Sequence, residues 1–334
     1  MAQQVATVGI VGGGAWGTAL AQTQAAAGRD VTLWAFEPET VRAINEHREN
    51  RVFLPNVALH PRIRATGTLA DVARADAILL VPPAQRLGAL AGELAPHLSA
   101  STPLIICAKG IERAQGRLLD EVLAQAVPGA MIAALSGPSF AADVARGLPA
   151  ALSIACDDRE RGEALAHGLA APTFRLYWSD DVRGVLLGGA IKNVLAIAAG
   201  IADGRQMGAS AQAALTTRGF AELRRFAESA GAKATTMMGL SGLGDLLLTC
   251  GSPQSRNMSL GRALGEGRSL AEIQASRSSV AEGVFTAQAL VEVAQARGVE
   301  MPIATAVHRV LEGEADVASA IAELLARPMR AEAE

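Results

Sequence analysis

Aromatic and cysteine residues are both scarce in this chain. Phe, Trp and Tyr number 7, 3 and 1 among 334 residues, so the apolar half of the composition is mostly Ala, Leu and Val, which suits closely packed helices. The three cysteines, Cys107, Cys156 and Cys250, lie far apart and form no CxxC pair, which argues against a disulfide framework and favours a reducing compartment. The five histidines show no metal-ligand spacing, so we expect no metal site.

An excess of charge of one sign is also missing. Thirty basic and 33 acidic residues give a net charge of -3, which argues against a nucleic-acid partner. The amino terminus lacks the basic start of a signal peptide, and we expect a cytoplasmic protein. The apolar stretch 184–202 contains one charge, Lys192, whose insertion into a bilayer costs roughly 2.5–3.5 kcal/mol. We therefore interpret this stretch as a buried helix and expect no membrane insertion.

Short apolar runs in the first half of the chain predict β-strands. Most of them are nearly continuous rather than alternating, which is typical of parallel strands covered on both faces. Helical patterns such as Thr18–Ala27 and Leu118–Gln125 lie between several of them, so we predict a doubly wound α/β sheet with right-handed crossovers. The predicted strands are Val5–Val11, Val31–Phe36, Ile63–Thr66, Ala77–Val81, Leu104–Ala108, Met131–Leu135, Ala151–Cys156 and Phe174–Trp178.

After about Asp180 only helical patterns follow. Gly231 and Gly298 mark two helix ends, and Ser269 with Glu272 forms a capping box at a helix start. We therefore predict an α/β domain over residues 1–182 and an all-α domain over residues 183–334. The predicted helices are Val182–Ile201, Ala209–Ser229, Thr235–Leu248, Asn257–Leu264, Val284–Ala296, Ile303–Leu311 and Val317–Leu325.

A glycine-rich turn links the first predicted strand to the first helix. Residues 12–17, GGGAWG, satisfy the pattern G-x-G-x-x-G. Gly12 permits the tight turn, Gly14 lets the backbone approach a diphosphate, and Gly17 lets the helix pack on the strand. Free N–H groups at the helix start suit a diphosphate, so we predict a dinucleotide site. The alternative is a glycine-rich turn without a ligand.

Residues beside this turn bear on the choice of coenzyme. Ala15 and Trp16 are expected near the phosphates and the adenosine, with core packing as the alternative role of Trp16. Phe36 stands at the tip of the second strand, and Glu37 follows it. An acid there usually binds the ribose hydroxyls, whereas a base accommodates a 2′-phosphate. Glu37 favours NAD, but Arg42 follows within the next helix, so both NAD(H) and NADP(H) stay open.

Two lysines and one aspartate occupy positions suited to catalysis. Lys109 follows the fifth strand, where the carboxyl ends of parallel strands face the ligand crevice; the alternative is a solvated loop lysine. Lys192 lies in an apolar helix, where burial lowers the pKa of its amine towards the acid–base range unless the side chain reaches solvent. Asp245, in GLGD, can hold a lysine or cap a helix.

Two further segments suggest substrate contacts. Ser255, Arg256 and Asn257 precede a helix, and an arginine with helix-start N–H groups suits a phosphate; an ordinary polar loop is the alternative. Pro138, within SGPSF at the end of the sixth strand, predicts a first helical turn with outward N–H groups. Ser139 beside it is either a ligand contact or a plain helix-start hydroxyl.

Several motifs occur together in the order seen in one enzyme family. The chain resembles the NAD(P)-dependent sn-glycerol-3-phosphate dehydrogenases, and the resemblance spans nearly its whole length. The motifs are Gly12–Leu20 (GGGAWGTAL), Lys109–Glu112 (KGIE), Ser136–Ala141 (SGPSFA), Gly188–Val194 (GGAIKNV), Gly242–Asp245 (GLGD), Ser255–Asn257 (SRN) and Glu282-Gly283.

The resemblance implies a Rossmann-like domain, a helical substrate domain, and interconversion of glycerol 3-phosphate with dihydroxyacetone phosphate for phospholipid synthesis. It implies that Lys192 gives and takes the proton at C2, that Lys109 polarises the carbonyl, and that Asp245 and Asn193 orient the site. The other implied contacts are Ser255, Arg256 and Asn257 with the substrate phosphate, Gly137 and Ser139 with the substrate, and Ala141, Ala15, Trp16, Arg256, Val280 and Glu282 with the coenzyme.

Two positions depart from the family pattern, and two rival functions stay open. Phe36 replaces a residue that is often polar or basic, and Ser210 replaces a usual Asn. One rival is another two-domain dehydrogenase, such as a β-hydroxyacid or ketopantoate reductase, although Arg256 and its neighbours favour a phosphorylated substrate. The other is a dinucleotide sensor without turnover, which the intact Lys109 and Lys192 argue against. We also expect the chain to form a homodimer.

Overall fold

One mixed sheet forms the first half of the chain. The structure, a computed structural model, describes residues 5–276, 281–329 and 331. Its strands are β1 (Thr7–Val11), β2 (Asp30–Trp34), β3 (Ile63–Thr66), β4 (Ala77–Leu80), β5 (Leu104–Ile106), β6 (Ile132–Ser136), β7 (Ala150–Ala155) and β8 (Phe174–Ser179). Their order is β3-β2-β1-β4-β5-β6-β7-β8. Every predicted strand is therefore present, with its ends shifted by at most a few residues.

The direction of the last two strands differs from the prediction. The strands from β1 to β6 are parallel, but β7 pairs with β6 in the antiparallel sense and β8 is parallel to β7. A parallel neighbour needs a connection that returns along the whole strand. The connection from β6 to β7 contains only a five-residue helix, Ala141–Ala145. That helix is about 7.5 Å long, shorter than either strand, so the chain turns back without a full crossover.

Sixteen α-helices complete the described part of the chain. In chain order they are α1 (Ala15–Ala26), α2 (Pro38–His47), α3 (Leu69–Val72), α4 (Leu87–Leu94), α5 (Leu119–Ala126), α6 (Ala141–Ala145), α7 (Arg159–Leu169), α8 (Val182–Gly204), α9 (Ala209–Ser229), α10 (Ala234–Met237), α11 (Asp245–Cys250), α12 (Arg256–Gly265), α13 (Leu270–Ala275), α14 (Glu282–Ala296), α15 (Pro302–Leu311) and α16 (Val317–Leu325). The predicted helix ends at Gly231 and Gly298 are confirmed by positive φ angles of 89° and 68°. The predicted capping box at Ser269 is present.

Helix α8 is the central element of the helical part. It contacts α9, α11, α12, α14 and α15, and it is closest to α12. Glycines permit this approach, because a Cβ at Gly261 would lie 2.0 Å from the carbonyl oxygen of Ile197, and one at Gly200 would lie 2.0 Å from that of Met258. Helix α8 is long and apolar enough to cross a membrane by length and composition, yet its most apolar window is 100% buried inside the structure. This agrees with the prediction of a buried core helix.

The predicted helix over residues 235–248 is wrong as a single element. The structure divides it into α10, a π-helical segment at Leu240–Gly244, and α11. A Cβ at Gly242 would lie 2.0 Å from the carbonyl oxygen of Met237, so only a glycine lets the backbone fold this tightly. The interruption brings Asp245 to the first turn of α11 and against α8. The border between the two domains, at residues 182 and 183, stays a prediction.

Candidate active site

The glycine-rich turn between β1 and α1 has the close contacts that its sequence predicts. Gly12 has a φ angle of +127°, and a Cβ there would lie 2.7 Å from the carbonyl oxygen of Val81. A Cβ at Gly17 would lie 1.9 Å from the carbonyl oxygen of Gly12, so any larger residue would push α1 away from the turn. Gly14 has no atom within 4 Å of its Cβ position, and it is the N-cap of α1 without a side-chain hydrogen bond. The N–H groups at this helix start therefore face an open surface that suits a diphosphate.

A buried asparagine braces the same turn. The side-chain amide of Asn50 donates hydrogen bonds to the Gly13 carbonyl and to the Thr18 hydroxyl, both at 2.8 Å. Asn50 is 1% exposed, so these bonds are protected from water. Asn50 was not among the residues predicted from the sequence, because nothing in its local sequence distinguishes it from an ordinary loop residue. It holds the loop after α2 against the predicted dinucleotide site.

The residues predicted beside the coenzyme differ in their exposure to solvent. Trp16 is partly buried and packs against the core of the sheet, as its alternative role expected. Its indole nitrogen is buried and has no hydrogen-bond partner in the described part of the chain. Phe36, two residues beyond β2, is 73% exposed. Glu37 is the N-cap of α2, but its carboxylate makes no capping hydrogen bond. Val280 lies outside the described residues.

Two of the three lysines in the chain meet at one buried carboxylate. Asp245 is 0% exposed; its Oδ2 accepts a hydrogen bond from Lys109 Nζ at 2.7 Å, and its Oδ1 accepts one from Lys192 Nζ. Thr249, one turn later on α11, accepts a hydrogen bond from Lys192 Nζ at 2.9 Å and donates one to the Asp245 carbonyl at 2.6 Å. We call Lys109, Lys192, Asp245 and Thr249 the lysine–aspartate cluster. Thr249 was not among the residues predicted from the sequence, although its spacing of four residues from Asp245 places both on one helix face.

The environment of Lys192 suits proton transfer. Burial lowers the pKa of its amine, the Asp245 carboxylate raises it, and the nearby Lys109 ammonium lowers it, which together bring the pKa to about 7. An amine that is about half protonated near neutral pH can both donate and accept a proton. The alternative in which Lys192 reaches solvent is wrong, because the residue is 7% exposed.

Two asparagines connect the helices next to the lysine–aspartate cluster. Asn193 Oδ1 accepts a hydrogen bond from Asn257 Nδ2 at 3.0 Å, and Asn257 Oδ1 accepts one from the Gly283 N–H, also at 3.0 Å. Both asparagines are buried. A Cβ at Gly283 would lie 2.7 Å from the Asn193 carbonyl oxygen and from Asn257 Oδ1. These contacts join α8, α12 and α14 immediately beyond Lys192.

The predicted phosphate segment opens α12. The hydroxyl of Ser255 is the N-cap and accepts a hydrogen bond from the Met258 N–H at 3.2 Å. Arg256 is exposed at the first helical position. Glu282 opens α14, and burial raises the pKa of its carboxyl to about 7, while the charge of Arg256 acts in the opposite direction. Glu282 Oε2 lies 3.8 Å from the position that a Cβ on Gly110 would take, so it borders the segment that holds Lys109.

The segment after β6 differs from its predicted form. Helix α6 begins at Ala141, so Pro138 precedes the helix instead of opening it. Gly137 has a φ angle of +157°, and a Cβ there would lie 2.8 Å from the Cα of Leu152. Ser139 donates a hydrogen bond to the Gly137 carbonyl at 3.0 Å, which orders the loop itself. Ser210 is exposed near the start of α9.

Comparison with known proteins identifies the family. Residues 7–162 match the NAD-dependent glycerol-3-phosphate dehydrogenase N-terminus, and residues 181–322 match the C-terminus of the same family. The chain belongs to the NAD-dependent glycerol-3-phosphate dehydrogenase family. The family prediction made from the ordered motifs is confirmed.

Individual relatives support the same assignment. A glycerol-3-phosphate dehydrogenase [NAD(P)+] of Parvibaculum lavamentivorans is 57% identical over 97% of this chain and 98% of the relative. The crystal structure of a glycerol-3-phosphate dehydrogenase from Coxiella burnetii matches with a TM-score of 0.93 and 38% identity, covering 97% of this chain and 99% of that one. A ketopantoate reductase from Ralstonia eutropha matches with a TM-score of 0.61 and 21% identity over 94% and 99% of the two chains, and thus shares the fold alone.

The family membership also gives the class of protein. The chain is an NAD(P)-dependent oxidoreductase with a Rossmann-like sheet followed by a helical region. The sequence prediction of this fold class is confirmed. The roles of the individual site residues stay predictions.

Proposed function

We propose that this glycerol-3-phosphate dehydrogenase interconverts sn-glycerol 3-phosphate and dihydroxyacetone phosphate, with Lys192 as the group that moves the proton at the C2 oxygen. The observation that supports this most directly is the lysine–aspartate cluster. Lys109 and Lys192 come from different elements and both donate to the buried Asp245 carboxylate. When Lys192 carries its proton, two cations share one buried carboxylate and leave a net positive charge, which suits a reaction that develops negative charge on oxygen.

The glycine-rich turn supports a dinucleotide as the second reactant. The open face at Gly14 and the uncapped start of α1 fit a diphosphate. Bound there, a nicotinamide coenzyme supplies the hydride for reduction or accepts it in oxidation. Glu282, Ala141, Ala15 and Trp16 are proposed to line its path, with Arg256 at the junction with the substrate.

The protonation state of Lys192 differs between the two directions of the reaction. In reduction, negative charge grows on the C2 oxygen, and the Lys192 ammonium transfers its proton to that oxygen. In oxidation, the neutral amine removes the hydroxyl proton. Lys109 stabilises the developing oxyanion, while Asp245 and Asn193 hold the lysines and the substrate in position. Because the pKa of Lys192 is about 7, both forms are available near neutral pH.

Substrate binding is proposed to depend on α12. Arg256 lies at the helix start beside Ser255 and Asn257, where N–H groups and a guanidinium together suit a phosphate. Holding the phosphate at one end fixes C2 against the coenzyme and uses binding energy for orientation. Gly137 and Ser139 are proposed to contact the substrate from the opposite side. We further propose that the glycerol 3-phosphate formed feeds phospholipid synthesis in the cytoplasm.

Initial rates of coenzyme oxidation with dihydroxyacetone phosphate test this function. Lys192→Ala should lower turnover by at least ~10²-fold while coenzyme binding stays nearly unchanged. Lys233→Ala is the matched control, because Lys233 is the third lysine of the chain and lies at the surface, paired with Asp180. Arg256→Ala should mainly raise KM for dihydroxyacetone phosphate.

The outcomes against the proposal are specific. Normal turnover of Lys192→Ala would remove this lysine from the mechanism, and a normal KM of Arg256→Ala would remove the arginine from the phosphate site. Turnover with ketopantoate in place of dihydroxyacetone phosphate would support the reductase rival. Coenzyme binding without turnover on either ketone would support the sensor.

A further inference from the structure

We propose that this chain binds NAD(H) in preference to NADP(H), because the residues after β2 present an available carboxylate, that of Glu37, where a 2′-phosphate needs cations. This preference rests on the proposed function, in which the protein is a dehydrogenase, but it concerns the coenzyme alone. It follows from the position, hydrogen bonding and charge of the residues around Phe36 and Glu37.

The end of β2 lies directly against the glycine-rich turn. The Gly12 N–H donates a hydrogen bond to the Trp34 carbonyl at 3.0 Å, and a Cβ at Gly13 would lie 2.5 Å from the Cβ of Ala35. The next two residues, Phe36 and Glu37, therefore border the turn that suits the diphosphate. In a doubly wound sheet the adenosine ribose attached to that diphosphate lies at this strand end.

The carboxylate of Glu37 is available to a ligand. Glu37 is the N-cap of α2, a position whose side chain often binds helix N–H groups, yet it makes no capping hydrogen bond. Pro38 at the first helical position contributes no N–H. Glu37 is exposed, so its oxygens can accept hydrogen bonds from the two ribose hydroxyls. A 2′-phosphate would instead bring further negative charge beside this carboxylate and beside Glu39 in the same helical turn.

Three arginines of the surrounding elements already pair with a carboxylate or a carbonyl. Arg51 pairs with Glu49 at 2.5 Å, and Arg64 pairs with Asp71 at 3.2 Å. Arg48 donates to the Ile63 carbonyl at 2.8 Å. Arg42 lies three residues after Glu39 on α2 and thus shares a helix face with that acid. A 2′-phosphate at this place would therefore need Arg42 as its cationic partner.

Phe36 contributes to both coenzymes alike. Its ring is 73% exposed beside the coenzyme turn, although large apolar side chains are usually buried. An exposed aromatic ring at this place offers a stacking surface for adenine. The adenine is common to NAD and NADP, so Phe36 adds affinity without discrimination. Discrimination is assigned to Glu37.

Isothermal titration of the purified full chain with NADH and with NADPH tests the proposal without depending on turnover. NADH should bind at least ~10-fold more tightly, a difference of about 1.4 kcal/mol. Glu37→Gln should reduce that ratio at least ~5-fold, because it removes the negative charge that disfavours a 2′-phosphate. Phe36→Ala should weaken both coenzymes by a similar factor. Glu46→Gln, an exposed acid near the far end of α2, is the matched control and should change neither.

Three results would overturn the proposal. These are NADPH binding as tightly as NADH, an unchanged ratio in Glu37→Gln, and a selective loss of NADPH affinity in Arg42→Ala, which would place the 2′-phosphate on that arginine. Rates with dihydroxyacetone phosphate are measured separately. Absence of turnover with either coenzyme would contradict the proposed function and leave the binding ratio interpretable.

Discussion

Replacing Asp245 by asparagine should separate the electrostatic role of this residue from its shape. The side chain keeps its size and one oxygen acceptor but loses the charge that both lysines share. In the native protein the carboxylate is the influence that keeps the pKa of Lys192 as high as about 7 despite burial. Asp245→Asn removes that influence, so the pKa of Lys192 should fall well below 7.

The size of the effect follows from simple electrostatics. Two unit charges about 4 Å apart interact by roughly 4 kcal/mol at an effective dielectric constant of about 20. At 1.36 kcal/mol per pKa unit, this corresponds to about three orders of magnitude in the protonation equilibrium. At pH 7 the protonated fraction of Lys192 should fall from about half to on the order of 10⁻³. Turnover in the reducing direction needs that proton and should fall by roughly 10²–10³-fold.

The assay is the pH profile of kcat for dihydroxyacetone phosphate reduction. In the native enzyme the rate should decline as pH rises through about 7, because the Lys192 ammonium is lost. In Asp245→Asn the decline should begin at lower pH, and the variant should recover part of its activity as the buffer becomes more acidic. Asp180→Asn removes a carboxylate from the exposed pair with Lys233 and is the matched control, with an unchanged profile expected.

Stability provides a second readout of the same variant. A buried cation that loses its partner destabilises a fold by about 3–5 kcal/mol unless it releases its proton. Since the folded pKa of Lys192 is then further below its unfolded value, the stability of Asp245→Asn should rise with pH over a wider range than that of the native chain. A pH–rate profile and a pH–stability profile that both coincide with those of the native enzyme would refute the reasoning.

Two further predictions concern the fold. Gly261→Ala should lower the free energy of unfolding, measured by urea denaturation, by ~1–3 kcal/mol, because the new Cβ would lie 2.0 Å from the Ile197 carbonyl oxygen of α8. Gly92→Ala in α4 is the control: its Cβ would have no atom within 4 Å, so this variant should gain up to about 1 kcal/mol. Equal effects of the two substitutions would contradict the packing argument. Glu222 accepts hydrogen bonds from the N–H groups of Ile303 and Ala304, and burial raises the pKa of its carboxyl to about 7. Its protonated form therefore contributes up to roughly 3 kcal/mol to the free energy of unfolding at acidic pH, and this contribution is lost as pH rises through 7. Glu222→Gln should therefore flatten the fall in Tm between about pH 4.5 and 7, and an unchanged slope would show that Glu222 does not titrate there.

Local sequence patterns predicted the elements of the sheet well. The continuous apolar runs at β4 and β5 are signals that depend only on residues a few positions apart. The glycine-rich turn was equally accessible, since Gly12 and Gly17 meet within one strand–turn–helix unit. The direction of β7 was predicted wrongly, because the apolar pattern of a buried strand is the same in both directions.

The helical part shows where local patterns fail. The run 235–248 has helical periodicity, but the glycines at 239, 242 and 244 convert its middle into a π-helical segment. Periodicity indicates which face of a helix is apolar, but it does not indicate how closely another segment of backbone approaches that helix. Only the contact of Gly242 with Met237 reveals that approach.

The sequence by itself determined the order of the elements, the dinucleotide turn and, through its ordered motifs, the family. Tertiary structure decided which charges meet: Asp245 lies 136 residues from Lys109 and 53 from Lys192, and Thr249 joins them. The physical reason is the separation along the chain over which each interaction acts. Strand and helix formation depend on steric and apolar patterns among near neighbours, whereas the pKa of a buried amine depends on desolvation and on partners that only the packing of α8, α11 and the end of β5 brings within a few ångströms.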